Sequence, residues 1–329
     1  MNHAALTKSL HNRATLAASC VTAVLCMAFY FLHRGFPSAV ESYGLAKSWS
    51  GVWCANPYIG VGAEAALMVF VMLLMAYLNK AYNLLRKMSM MHCSLFIIME
   101  AATPTLLLTL NSGAALCLSV LICVAILFHA SIHESTDTRR IFMVFFLLSA
   151  GMAVQYAYMV YIPVFILACI QLKLFSLRSL SAIFLGIISP WIMMLGLGAV
   201  APDDLQMPVF ALEMPQWAHP RTVLFLATVV TTLALAILAL LQNLIKIISY
   251  NSQSRAMQSV ITTITVVTVV AIVIDFRNIF AYLTMLNCIA AFQLTHMFVA
   301  IHNFAKSYLM VLIIMLVFVG LYIMKMTTI

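Results

Sequence analysis

Charge is what this sequence has least of. Only 8% of its 329 residues are Asp, Glu, Lys or Arg, where a soluble domain carries about 25%. Acids are scarcer still, nine against seventeen Lys and Arg. With 65% hydrophobic residues and a mean hydropathy of +1.08, a water-driven globule is excluded. The composition describes an all-α, polytopic transmembrane helix bundle, a single integral membrane domain over residues 1–329, whose partner is the lipid bilayer. The net charge of +8 sits in turns between apolar runs, so it reads as topology and no nucleic-acid partner is expected.

Motifs are missing too. The P-loop, the paired-histidine zinc motif of metalloproteases, the serine nucleophile elbow and paired CxxC cysteines are all absent. ATP-driven transport and the commoner hydrolase chemistries therefore lack support, and no cofactor or metal is expected. Cys20, Cys26, Cys93, Cys117, Cys123, Cys169 and Cys288 lie in apolar segments and Cys54 in a loop, as small packing residues do. No internal repeat is visible, which lowers the inverted-repeat transporter reading.

Apolar runs set against a hydrocarbon core of about 30 Å give about eleven spans, near 14–33, 58–79, 88–110, 113–132, 141–154, 157–172, 180–200, 222–243, 258–274, 279–301 and 307–324. The segment 141–172 is either two short spans or one long helix interrupted by Gln155, Tyr156 and Tyr158. With two spans, twelve of the seventeen Lys and Arg residues fall on the cytoplasmic side, whereas merging them leaves ten. The positive-inside bias thus favours eleven spans, a cytoplasmic N-terminus and an outside C-terminus. The first run is longer than a signal-peptide core of about 7–15 residues and is expected to be an anchor.

Two outside loops are long enough to carry structure. In residues 34–57, Leu45, Trp49 and Trp53 recur at helical spacing, which predicts a short interfacial helix. Residues 201–221 hold Pro202, Pro208, Pro215 and Pro220, which exclude continuous helix. They also carry Asp203, Asp204, Glu213, His219 and Arg221.

Within the spans, Glu64 and Glu100 are the notable residues, because an ionisable group at membrane depth is costly and marks a functional site by default. They lie roughly 9 and 15 Å below the outer face, and Asn287 roughly 13 Å, at about 1.5 Å per residue. Neighbouring antiparallel helices would bring the acids within reach of one another to share a proton. Pro104 would free the carbonyl of Glu100 and open the helix beside a cavity. An outward-opening polar cavity follows, with Asp203, Asp204, Asp275 and Arg277 near its rim. The plainer alternative is that each acid is hydrogen-bonded helix glue.

Three smaller patterns carry less chemistry. His129 and His133 share a helix face with Asp137, a geometry able to hold a divalent ion, although a polar helix end explains it more simply. Gln293, His296, Ala300 and Asn303 form a helix-packing seam. The Thr262, Thr263, Thr265 and Thr268 hydroxyls are expected to bond their own backbone.

The words Ile141–Gly151, Tyr161-Ile162-Pro163-Val164, Phe175-Ser176-Leu177-Arg178 and Leu185-Gly186-Ile187-Ile188-Ser189-Pro190 resemble a group of Bacteroidota multi-span membrane proteins catalogued as a domain of unknown function. The resemblance covers chiefly residues 80–200 and implies a bacterial inner-membrane protein, without site residues. The same rhythm of short paired spans, basic turn and Gly/Pro span is loosely similar to multi-span glycosyltransferases that use polyprenyl-phosphate sugars. Those enzymes place a catalytic acid in the first outside loop, where this chain offers Glu41, and generally carry longer outer loops or a periplasmic domain.

Two functions from different classes emerge, with a structural subunit as a third. One is envelope biogenesis on a polyprenyl-linked sugar at the outer leaflet, with Glu41, Asp203 or Asp204 as catalytic acid or base and Arg221 or Arg277 as phosphate contact. The other is a secondary transporter coupled to protons through Glu64 and Glu100.

Overall fold

The computed structural model describes residues 13–54, 56–85, 89–132, 138–210, 220–246, 251–299 and 304–327. Among them all regular structure is helical, apart from two isolated β-bridges. The helices are α1 (Arg13–Arg34), α2 (Pro57–Tyr82), α3 (Met91–Ala101), α4 (Thr105–Leu108), α5 (Ser112–Ile132), α6 (Thr138–Val154), α7 (Tyr161–Gln171), α8 (Leu177–Gly196), α9 (Pro220–Lys246), α10 (Ser252–Ile274), α11 (Ile279–Val299) and α12 (Phe304–Thr327). Eight of these, α1, α2, α5 and α8–α12, are long and apolar enough to cross a membrane, so the chain is a multi-pass membrane protein.

The three remaining expected spans hold shorter helices. Residues 88–110 are broken into α3 and α4 by a turn at 102–104. Residues 141–172 are two helices: Gln155 is extended (φ −147°, ψ 113°), a 3-10 turn over Tyr156–Val160 follows, and α7 starts at Tyr161. Gly151 permits this hairpin, because a Cβ there would lie 2.6 Å from the Tyr158 ring.

The helix ends follow local chemistry. The Asn56 side chain accepts from the Tyr58 N–H, with Pro57 in the first turn of α2. At the other end Asn83 takes the left-handed conformation (φ 49°). Ser176 and Ser179 close a reciprocal capping box on α8.

At the centre stands α11, buried along nearly all its length and packed against α3, α5, α9 and α10. Every residue of α3 is buried as well, between α1, α11 and α12. In contrast α1 keeps Val21, Val24, Leu25, Phe29 and Leu32 exposed, as a lipid-facing helix does. α6 and α8 run parallel in close contact. Ser149 Oγ donates to the Ile187 carbonyl (2.6 Å), and a Cβ on Gly186 would meet the Phe142 carbonyl at 2.8 Å and Phe145 Cβ at 2.9 Å.

The loop before α2 departs from expectation. It forms no amphipathic helix, only a 3-10 turn at Lys47–Trp49, because its backbone bonds elsewhere. Ser42 and Gly51 pair as a β-bridge, with Gly51 at φ +109°. The N–H groups of Leu45 and Ala46 donate to the Met152 and Ala153 carbonyls, capping the end of α6. Gln206 N–H donates to the Leu45 carbonyl and Ala46 bridges Leu205, so the described parts of both long loops meet at one end of the bundle. The two tryptophans anchor the turn, Trp49 Nε1 donating to the Ala199 carbonyl and Trp53 Nε1 to Ser42 Oγ.

A branched side chain at Gly186 would force α6 and α8 apart. Gly186→Val is expected to cost about 1–3 kcal/mol through overpacking and to lower the unfolding midpoint in detergent. Gly196→Ala, where a Cβ meets open space, is expected to be neutral; equal effects of the two would refute close α6–α8 packing.

Candidate functional site

Each intramembrane acid has its own asparagine. Asn111 donates to both oxygens of Glu64, from its backbone N–H to Oε2 and from Nδ2 to Oε1, each at 3.3 Å. The Asn111 side chain also reaches the Leu106 and Thr109 carbonyls and accepts from the Gly113 N–H at 2.7 Å. Glu64 and Asn111 therefore organise the link from α4 into α5. Glu100 Oε1 accepts from Asn287 Nδ2 at 3.1 Å, which joins α3 to α11. Glu64, Glu100 and Asn287 are all buried. The two carboxyls make no hydrogen bond to one another; each is held by its own amide.

The break in α3 is also organised differently from the expectation. Pro104 does not leave the Glu100 carbonyl open, because the Thr103 N–H turns back to it at 3.0 Å. The carbonyl that faces outward is that of Ala102, and it is taken by a lysine 223 residues away. Lys325 Nζ, from the last turn of α12, donates to Ala102 O (2.8 Å), Thr228 Oγ1 (3.1 Å) and Thr103 Oγ1 (3.4 Å). Its cation lies at the carbonyl end of α3, where the helix dipole favours positive charge. Lys325 follows the last expected span in the sequence, yet it is part of the helix and makes these half-buried contacts.

Lys325 opens onto a cavity of about 580 Å³. Arg34, Arg277 and Lys325 all line it, together with Thr103, Pro104 and Thr105 from the break in α3. Aromatic walls come from Tyr30, Tyr43, Phe225, Phe276 and Phe280, and no carboxylate is among the described lining residues. Arg34 donates to the Lys325 carbonyl at 2.8 Å, while its buried Nε has no hydrogen-bond partner. The Arg277 guanidinium stacks on Tyr43, 3.8 Å from the ring centroid.

A buried network fixes the Tyr43–Arg277 wall. The Tyr43 N–H donates to Gln155 Oε1 (2.7 Å), Gln155 Nε2 to Asn278 Oδ1 (2.6 Å) and Asn278 Nδ2 to Asp275 Oδ2 (2.7 Å). Asp275 also accepts from the Tyr156 hydroxyl (3.1 Å) and the Tyr282 hydroxyl (3.2 Å). Asp275 is thus buried inside this network, not at a solvent-facing rim. Gln155, a break in a span, and Asn278, a polar residue at a helix start, were the only sequence signals for it.

The other expected residues scatter. Glu41 is exposed and accepts from the Tyr43 hydroxyl at 3.2 Å, one side chain away from the cavity. Asp203 and Asp204 lie on a 3-10 turn outside the described lining. Arg221 starts α9 next to the lining residue Thr222, and its side chain lies outside the described residues. So do His133, Glu134, Asp137, Ala300, His302, Asn303, Glu213 and His219. Among the described residues no group of His, Cys, Asp or Glu could hold a metal ion.

Glu64, Glu100 and Asn287 are not among the described residues that line this cavity. The cation-lined cavity lies beyond the α3 break, and the two acids are buried. Gln293 and His296 do form a packing seam: Gln293 Nε2 donates to Thr265 Oγ1 (2.6 Å), and His296 Nδ1 and Asn243 Oδ1 are 3.0 Å apart. The hydroxyls of Thr263, Thr265 and Thr268 bond their own helix, as expected, and Thr268 also meets the Tyr161 hydroxyl at 3.0 Å.

Comparison with protein-family models, curated proteins and solved structures finds no match to this chain.

Removing the Asn111 side-chain amide leaves the buried Glu64 Oε1 without its donor, while the backbone N–H still serves Oε2. Asn111→Ala is expected to lower stability by about 3 kcal/mol, read as the unfolding midpoint in detergent. An unchanged midpoint would show that Asn111 does not secure the α4–α5 link.

Proposed function

We propose that this protein crosses the bacterial inner membrane eleven times with its N-terminus in the cytoplasm, and acts in envelope biogenesis on a lipid-linked sugar at the outer leaflet. The cation-lined cavity carries this reading. In that topology it opens at the outer end of the bundle, where Arg34, Arg277 and Lys325 meet. Three cations facing aromatic rings suit an amphiphile whose phosphate is held by charge-assisted hydrogen bonds. Arg supplies the planar donor fork, and Lys325 the point charge.

The apolar outer face of α1, with Val24, Leu25 and Phe29 exposed, offers a path along which a polyprenyl tail remains in lipid. Glu41 is the best placed of the candidate bases, since Tyr43 joins it to the cavity wall. Asp203 and Asp204 sit on the loop that pairs with residues 45–46, and Arg221 adjoins Thr222 at the start of α9. The resemblances to Bacteroidota multi-span proteins and to polyprenyl-phosphate-sugar glycosyltransferases point the same way, by analogy of architecture only.

One observation favours a second reading, a proton-coupled transporter. Broken helices packed at mid-bundle are where secondary transporters build their sites, and α3 breaks directly after Glu100.

Binding to the protein in lipid nanodiscs decides between them first. A polyprenyl phosphate is expected to bind, and Lys325→Gln and Arg34→Gln are each expected to weaken it at least tenfold, about 1.4 kcal/mol. Glu41→Gln should retain binding and lose function in a deletion strain, with the lipid-linked intermediate accumulating. Undiminished affinity in both cation variants would remove the lipid-phosphate reading, and loss of function in Glu64→Gln and Glu100→Gln alone would favour transport.

A further inference from the structure

Along α11 and its contact with α3, several buried oxygens have no hydrogen-bond partner among the described residues: Glu100 Oε2, Asn287 Oδ1, Gln293 Oε1 and Thr295 Oγ1. Unsatisfied buried polar atoms are rare in native proteins, and each asks for an explanation. Here the donor and acceptor inventory supplies one.

The Glu100–Asn287 pair uses only half of each group, Oε1 accepting from Nδ2 at 3.1 Å. The halves left over are two oxygens. If Glu100 were ionised, both would be acceptors, and neither could satisfy the other. One proton on Oε2 turns it into a donor for Asn287 Oδ1 and completes a carboxylic acid–carboxamide pair. Glu64 makes the contrast, since both its oxygens already accept N–H bonds from Asn111 and need no proton to do so. Lys325, the half-buried basic residue near the same turn of α3, spends its bonds on Ala102, Thr103 and Thr228.

We propose that Glu100 and Asn287 form an occluded proton-binding site at the middle of the bundle, independent of what the cavity binds. We assign its exchange route to α11, running away from the cavity through Gln293 and Thr295 to His296. The direction is set by where the unpartnered oxygens of α11 lie. Along this helix and its start, the polar groups toward the cavity are already committed: Asn278 and Tyr282 to Asp275, and Thr284 to the Phe280 carbonyl. Asn287 and Gln293 are roughly 9 Å apart along the helix at about 1.5 Å per residue, so the route requires water to enter transiently between them. From Gln293 the next polar groups follow within one turn, and His296 meets Asn243 there. Only a proton moves in this exchange, from Oε2 to the adjoining acceptor with another returning, so no co-reactant is needed.

Infrared spectroscopy of the protein in lipid at neutral pH, with carbon-13 in its glutamates, tests both halves. A protonated glutamate carbonyl band that shifts with the label is expected in the wild type. It should vanish in Glu100→Gln, persist in Glu64→Gln and move in Asn287→Leu. Carboxylate bands alone, or a band that survives Glu100→Gln, would overturn the site; the labelled wild type gives this answer even where a variant fails to fold. Transfer to heavy water should shift the band, at a rate that Gln293→Leu slows at least fivefold. No shift, or an unchanged rate in that variant, would overturn the route.

Discussion

In hydrocarbon a backbone carbonyl without a donor has nowhere to turn, and that constraint shapes the centre of this protein. α3 ends after 11 residues, about 16 Å by helical rise and half the thickness of a membrane core. A break at that depth survives only if the freed groups find partners. Thr103 closes back on Glu100, and the end of α12 delivers Lys325 to Ala102. Two helices remote in sequence thus become one unit: the break fixes where α12 must end, and α12 makes the break tolerable.

The same rule explains the end of the bundle where the two long loops meet. The loop before α2 is held by the Leu45 and Ala46 N–H groups, which donate to the last carbonyls of α6 that otherwise lack donors. Gln155 then passes the constraint from Tyr43 to Asn278 and Asp275. Tyr43 and Arg277 are therefore positioned by a buried polar chain and not by a flexible loop. That arrangement gives the cavity one rigid wall, and a rigid wall is what a charged ligand needs if its binding is not to be spent on ordering side chains.

Much of the helical layout was legible, since hydrophobic length and loop charge are one-dimensional signals. The apolar runs coincide with helices, and the interruption at Gln155 proves to be a real break between α6 and α7. The acids at depth were legible as well, because a Glu among apolar neighbours is conspicuous wherever it folds. Their partners were not. Asn111 falls between two apolar runs and reads as a turn residue, and nothing local links it to Glu64. The expected interfacial helix failed for a related reason: the spacing of Leu45, Trp49 and Trp53 is a helical period, but their backbone has a stronger claim on the end of α6. Arg34 and Lys325 stand at the ends of apolar runs, where a basic residue reads as no more than a topology marker. Only the approach of α1 to α12, where Tyr322 also bonds the Cys26 carbonyl at 2.5 Å, turns those two ends into one site.

Why the cap on α3 is a lysine has a physical answer. Three hydrogen bonds to neutral acceptors would be met by other donors at less desolvation cost, because a cation removed from water is expensive even when its protons are all bonded. What a neutral donor lacks is the field. The helix dipole of α3 cancels at most about half a charge, so the rest of the ammonium's charge extends into the low-dielectric cavity, where Arg34 and Arg277 add to it. A cavity with apolar walls focuses such a field on whatever enters. The costly choice of residue at the break is therefore understandable as one device with two effects, closing a helix end and making the adjoining space positive.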